Sequence, residues 1–159
     1  MVSQLTKLEE ESIDYFVSFV QIFGFPKSVG QIYGLMFVSG EPMVMGQLVE
    51  RLEISKGSVS QGLATLKALG AIVPVEVEND RREHFQADLD VSRIVNHFFS
   101  ERLEPRLQNG SRRLEGMLEL AREGGDTKEN EPLNRLKALK KWQTRGQRAI
   151  PFIKRFLKN

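Results

Sequence analysis

The chain has 159 residues, 40% of them hydrophobic and 28% charged, enough for one core with an appended helical element. It contains no cysteine, which excludes disulfide frameworks, cysteine zinc sites and thiol nucleophiles. The net charge of +2 hides an asymmetry, because all 21 acidic residues lie at or before Glu131 while nine of the 23 lysines and arginines follow it; such a split invites either nucleic acid or the acidic body of another subunit.

The N-terminal stretch "MVSQLTKLEEESIDYF" has no basic segment followed by an apolar run, and glycine or charge breaks every apolar stretch short of a bilayer-spanning length. The expectation is a soluble, cytoplasmic protein with no membrane partner. Over residues 8–23, Ile13, Phe16, Val17, Val20 and Phe23 recur at threes and fours, which predicts an amphipathic helix closed by Gly24. Pro26 opens a second helix, apolar nearly all round and therefore buried, and Gly40 with Pro42 ends it.

Two short helical patterns follow. Leu48, Val49 and Leu52 mark the first, which begins with a poor cap at Val44 and Met45. Val59, Leu63 and Leu66 mark the second, with Ser55 as its N-cap and Gly70 as its terminator. Gly57 and Gly62 each cost this helix about 1 kcal/mol of propensity relative to alanine, which is consistent with close approach either to phosphates or to another helix. "AIVPVEVE" then alternates with period two, placing Val73, Val75 and Val77 on one face. Pro74 cannot donate to a ladder, so this is expected as an edge strand. Asn79 and Asp80 are expected to form a tight hairpin turn, and "RREHFQAD" to return as the second strand.

The helical period resumes after Asp90 through Val91, Ile94, Val95, Phe98, Leu103 and Leu107, with a bend or break at Pro105. "GGDTKENEP" reads as a linker. Pro132 starts a last helical region carrying Leu133, Leu136, Leu139 and Trp142, interrupted at Gly146 and Pro151.

Helix, turn, helix, then a two-stranded hairpin is the order of a winged helix-turn-helix. On the second helix, Lys56, Ser58, Ser60, Gln61 and Thr65 form the polar side suited to a major groove. "ISKGSVSQGLATLKALGAI" followed by "DRREHF" resembles the winged-helix repressors of the MarR superfamily, especially its choline-responsive GbsR/MarR branch. Asp80, Arg81 and Arg82 match the superfamily's Asp-x-Arg wing signature, and "FGFPKSVGQIYGLMFVSGEP" looks like the stretch ahead of its helix-turn-helix. The resemblance covers residues 10–90; beyond them it is architectural only.

It implies a mainly α fold with a small wing and long C-terminal dimerisation helices, divided into a DNA-binding domain (1–90) and a helical dimerisation region (91–159). It further implies a homodimeric transcriptional repressor on a pseudo-palindromic duplex DNA operator. The recognition helix would be 55–69 and the wing 72–87, with Ser55, Lys56, Ser58, Ser60, Gln61, Thr65, Arg81 and Arg82 as DNA-binding residues. The betaine branch implies a small-molecule effector of quaternary ammonium type, for which Trp142, Tyr15 and Tyr33 are the candidate aromatics. Single aromatics on helices are more often core.

The alternative is a winged-helix protein-interaction subunit that reads no bases. Glu50, Glu53, Glu76, Glu78 and Glu83 offset the module's cations, so generic DNA affinity should be modest. Arg81 and Arg82 are either solvated hairpin-tip charges or, with Asp80 orienting Arg82, preorganised groove contacts. His84 and His97 have no partner at metal-ligand spacing, and no phosphate loop, nucleophile elbow or paired nucleophile and base is present. No enzyme activity, metal or cofactor is expected.

Overall fold

The computed structural model describes residues 4–125 and 129–158, in two compact units, Met1–Ile94 and Val95–Asn159. Among the described residues no helix is long and apolar enough to cross a membrane.

In the first unit, α1 (Lys7–Ile22) starts with a capping box in which Glu9 N–H donates to Thr6 Oγ1 and Thr6 N–H to Glu9 Oε2. Its apolar face lies against α2 (Lys27–Ser39), whose Gly30 and Gly34 make the approach close. A β-carbon at Gly30 would stand 2.5 Å from the Val17 Cα, and one at Gly34 2.8 Å from the Ile13 Cα. Ser12 Oγ donates to the Gly34 carbonyl at 2.7 Å across this crossing. Phe16 of α1 sits edge-on to Tyr33, their ring centroids 4.8 Å apart, an arrangement aromatic pairs favour. α2 is buried as expected along Val29, Ile32, Tyr33, Leu35 and Met36, and Gly40 ends it with φ 70°.

α3 (Met45–Leu52) and α4 (Lys56–Ala68) follow, the first preceded by a two-residue strand β1 (Met43–Val44) that the sequence reading missed. This strand accounts for the poor cap. Val44 pairs with His84, so the residue is chosen for the sheet, and Gln47 Oε1 compensates by accepting the Val44 N–H at 2.9 Å.

β2 (Ile72–Val77) and β3 (Asp80–Ala87) complete an antiparallel sheet of order β1-β3-β2, three strands instead of the expected two. β2 is the edge, as Pro74 requires. The valine face is largely solvated, with Val73 and Val77 exposed, and Ile72 at the strand's start is its buried anchor. The turn also differs from expectation. Glu78 and Asn79 form it, Asn79 alone of the two taking positive φ (61°), while Asp80 already pairs with Val77 as the first residue of β3.

α5 (Val91–Phe98) begins at Asp90, whose Oδ1 accepts the Arg93 N–H. A π-helical turn (Phe99–Leu103) leads into α6 (Glu104–Arg122). Pro105 therefore stands in the first turn of α6, directly after the π turn, where the Glu104 N–H bonds to the Phe99 carbonyl and absorbs the register change. In the second unit, Leu114 and Leu118 of α6 pack with Leu133 of α7 (Glu131–Leu157). Residues 126–128 of the expected linker lie outside the described residues.

The expected interruptions at Gly146 and Pro151 do not occur, because α7 runs through both. Its inner side stays engaged along its length. Gln143 and Gln147 both donate to Ser111 Oγ, at 2.9 and 2.7 Å, and Ile150 is buried. Proline removes one backbone bond, and packing on both sides of it holds the helix together.

Candidate nucleic-acid interface

α3 ends at Glu53, which adopts the left-handed conformation (φ 52°), so the chain reverses within three residues before Ser55 caps α4. Ser58 N–H donates to Ser55 Oγ at 3.1 Å, and the two hydroxyls share a further bond at 2.9 Å. Both expected contact serines are thus partly committed to the helix start. Val59, Leu63 and Leu66 are buried beneath α4. Lys56, Ser60 and Gln61 are exposed on its outer side, and Thr65 is half-buried.

The two glycines of α4 divide the two readings between them. A β-carbon at Gly62 would meet Ile32 Cδ1 at 2.4 Å, so Gly62 serves helix packing. Gly57 has nothing within 3.9 Å of that position, so no internal contact requires it. The far end of α4 closes with the paired bonds of a Schellman motif, Ala71 N–H to Leu66 O and Gly70 N–H to Lys67 O, with Gly70 at φ 66°.

The wing is anchored to this helix by a contact the sequence reading did not find. Lys67 Nζ donates to Glu83 Oε1 at 2.8 Å and lies 4.6 Å from the centre of the Phe85 ring. Within the wing, β3 carries a bulge: between the pairs Val75–His84 and Val77–Asp80, Glu76 alone faces Arg81, Arg82 and Glu83. Bulges redirect side chains and strengthen local twist. Here the redirected residues are the two arginines, both exposed.

Asp80 fixes Arg82 with four bonds. Its Oδ1 accepts the Arg82 backbone N–H at 3.0 Å and Nε–H at 2.9 Å, while Oδ2 accepts Nε–H at 3.0 Å and also Nη2. The Arg82 side-chain bonds, then its backbone N–H, hold the Asp80 carboxyl well below the usual carboxylate range. Asp80 is therefore ionised throughout the physiological range. His84, in contrast, is buried. Its Nδ1 lies 2.8 Å from the Arg82 carbonyl oxygen and its Nε2 3.3 Å from Asp80 Oδ2. Period-two spacing of Asp80, Arg82 and His84 along one strand was the signal available for this grouping.

Tyr33 is buried and its hydroxyl donates to the Asp88 carbonyl at 2.6 Å, leaving it packed rather than open to a ligand. Burial, followed by the charge of Asp88, pushes its hydroxyl well above the ordinary phenol value. Tyr15 is exposed and borders an aromatic groove of about 380 Å³ with Phe16, Phe19 and Phe37. Trp142, on α7, is 72% exposed. Among the described residues of the basic segment, Arg135 pairs with Glu131, Lys140 with Glu115 and Lys154 with Glu104. Among the described residues, no cluster of His, Cys, Asp or Glu is arranged to hold a metal ion.

A helix-turn-helix with an exposed polar face, joined by an ion pair to a three-stranded wing, defines a winged helix-turn-helix module. Residues 24–83 match the MarR family, and this part of the chain is similar to a MarR-type winged helix. Over 96 residues the chain is 29% identical to the HTH-type transcriptional repressor GbsR of Bacillus subtilis (strain 168), a match covering 60% of this chain and 53% of that protein. The chain thus spans about half the length of this curated relative. A crystal structure of a transcriptional regulator shares the fold with a TM-score of 0.54 at 18% identity, covering 95% of this chain and 99% of that one.

Proposed function

We propose that this chain is a DNA-binding transcriptional repressor that acts as a homodimer on a pseudo-palindromic operator. The observation that carries this reading is the wing arginine. Arg82 is exposed, yet its guanidinium is held in one orientation by Asp80. A flexible surface arginine loses side-chain entropy on binding; one already held loses less. Beside it, Lys56, Ser60 and Gln61 present the exposed donors and acceptors of α4. These suit a helix lying in a major groove while the wing arginine enters the flanking minor groove. The MarR-family match and the relative's name as a repressor support the same reading.

In this reading the module at 1–90 binds DNA, the helices of 91–159 join two subunits, and Ser55, Ser58, Thr65 and Arg81 complete the contact set. Ser55 and Ser58 contribute through whichever lone pairs their mutual bond leaves free. Two recognition helices must span grooves about 34–36 Å apart, so an effector that changes their separation changes affinity by linkage. The exposed glutamates at 50, 53, 76, 78 and 83 support the second reading, a protein-interaction module, because they weaken non-specific attraction to phosphate.

Selection of bound sequences from random duplexes separates the two. Enrichment of a two-fold symmetric motif supports the repressor reading. Recovery of unenriched sequence at low salt only would overturn it.

A further inference from the structure

We infer that His84 is a proton-operated positioning residue for Arg82, an inference that rests on the DNA-binding reading of the wing. The side chain is buried at 6% exposure and meets two acceptors at once, the Arg82 carbonyl oxygen through Nδ1 at 2.8 Å and Asp80 Oδ2 through Nε2 at 3.3 Å. A neutral imidazole carries a proton on one nitrogen only. With that proton on Nδ1, the Nε2 lone pair faces a carboxylate oxygen; with it on Nε2, the Nδ1 lone pair faces a carbonyl oxygen. The imidazolium, which donates from both nitrogens, satisfies both contacts.

Among the described residues, the surroundings add no competing partner. The residues opposite His84 on β1 and β2 are Val44 and Val75, neither of them charged. On α4, Lys67 is engaged by Glu83 and lies over Phe85. On α2, the Tyr33 hydroxyl is committed to Asp88. On β2, Glu76 is exposed opposite the bulge. On β3 itself, Arg81 is exposed, and Asp80 is bonded to Arg82.

The consequence follows from Asp80 serving both neighbours. The protonated ring donates to Oδ2, the same carboxylate oxygen that accepts from the guanidinium, and so holds it in place for Arg82. Loss of the Nε2 proton replaces that attraction with repulsion against Oδ2, loosening the carboxylate and with it the arginine. Operator affinity should therefore rise as pH falls and the ring takes up its second proton. One linked proton changes affinity by at most about tenfold per pH unit.

The first test uses the free protein. NMR titration from about pH 8 to 5.5 follows the His84 ring and the Arg82 Nε–H signal, with His97→Gln removing the chain's other histidine. The expected result is that the Arg82 signal moves with the His84 midpoint; an Arg82 signal that stays still while His84 titrates overturns the inference whether or not DNA binds. The second test measures anisotropy with the selected operator duplex at fixed ionic strength. Wild type should gain at least about twofold in affinity from pH 7.5 to 6.0, within the one-proton limit, and His84→Gln should lose that gain. Equal pH profiles for the two proteins would overturn the link to DNA. Absence of duplex binding at every pH, with the Arg82 signal still following His84, would instead overturn the proposed function.

Discussion

Gly62 of α4 faces Ile32 of α2 so closely that a β-carbon would stand 2.4 Å from Cδ1 of a side chain that is itself fully buried. α4 is thereby seated on α2 by the absence of an atom. Gly62→Ala adds helix propensity of about 1 kcal/mol but overpacks the site at a cost of about 1–3 kcal/mol, so the variant should be less stable or at best neutral. Gly57→Ala meets open space and should stabilise by up to about 1 kcal/mol. Urea unfolding of the pair checks the opposite ordering, and Gly30→Ala should be worse than either because helix backbone stands in its way.

Lys67 and Glu83 join α4 to the wing through an exposed pair, which contributes at most about 1 kcal/mol to stability. Its larger effect is to neutralise a cation beside the surface proposed to face DNA. Glu83→Gln should leave unfolding nearly unchanged while tightening operator binding and raising the salt slope by about 0.9. Binding isotherms across a salt series check this. An unchanged slope would mean that Lys67 does not reach phosphate.

Lys56 and Gln61 should behave differently from each other. Lys56→Ala should weaken all duplexes alike and lower the salt slope by about 0.9. Gln61→Ala should relax preference at one base pair in each half-site, a loss of about 1–3 kcal/mol of discrimination. Repeating the selection with each variant reads both effects.

Glu9 links the start of α1 to α3 through Arg51, at 2.8 Å. Burial pushes the Glu9 carboxyl up, but the backbone N–H of Thr6 and the guanidinium of Arg51 together outweigh it, and the net shift is downward from 4.5. A carboxyl depressed in the folded state contributes stability that is present above its unfolded pKa and lost as pH falls through the folded value. Wild type should therefore lose more stability than Glu9→Gln as pH drops from about 6 to below 4. Denaturant midpoints at both ends of that range check the sign.

Much of the local architecture was legible because its determinants are close in sequence. Ser55 and Gly70 bound α4 through contacts within a few residues, and Pro74 marked the edge strand by what it cannot donate. The failures share a cause as well. β1 is too short to alternate, and its pairing with β3 spans about forty residues. The bulge that aims the arginines depends on register against β2, so the turn was misplaced by one residue, onto Asn79 and Asp80 instead of Glu78 and Asn79. Likewise, the Lys67–Glu83 pair and the Gly30 and Gly34 crossing exist only once elements meet. α7 shows the converse, since Gly146 and Pro151 are local breakers overridden by packing along the helix.

Arg82 is proposed as an aimed DNA contact. The most direct measurement compares operator affinity and thermal unfolding of wild type and Arg82→Ala. Because the side chain is exposed and bonds to Asp80 at the wing, unfolding should be nearly unchanged while affinity for the selected duplex falls about tenfold or more. An unchanged binding isotherm with an intact fold would contradict the account.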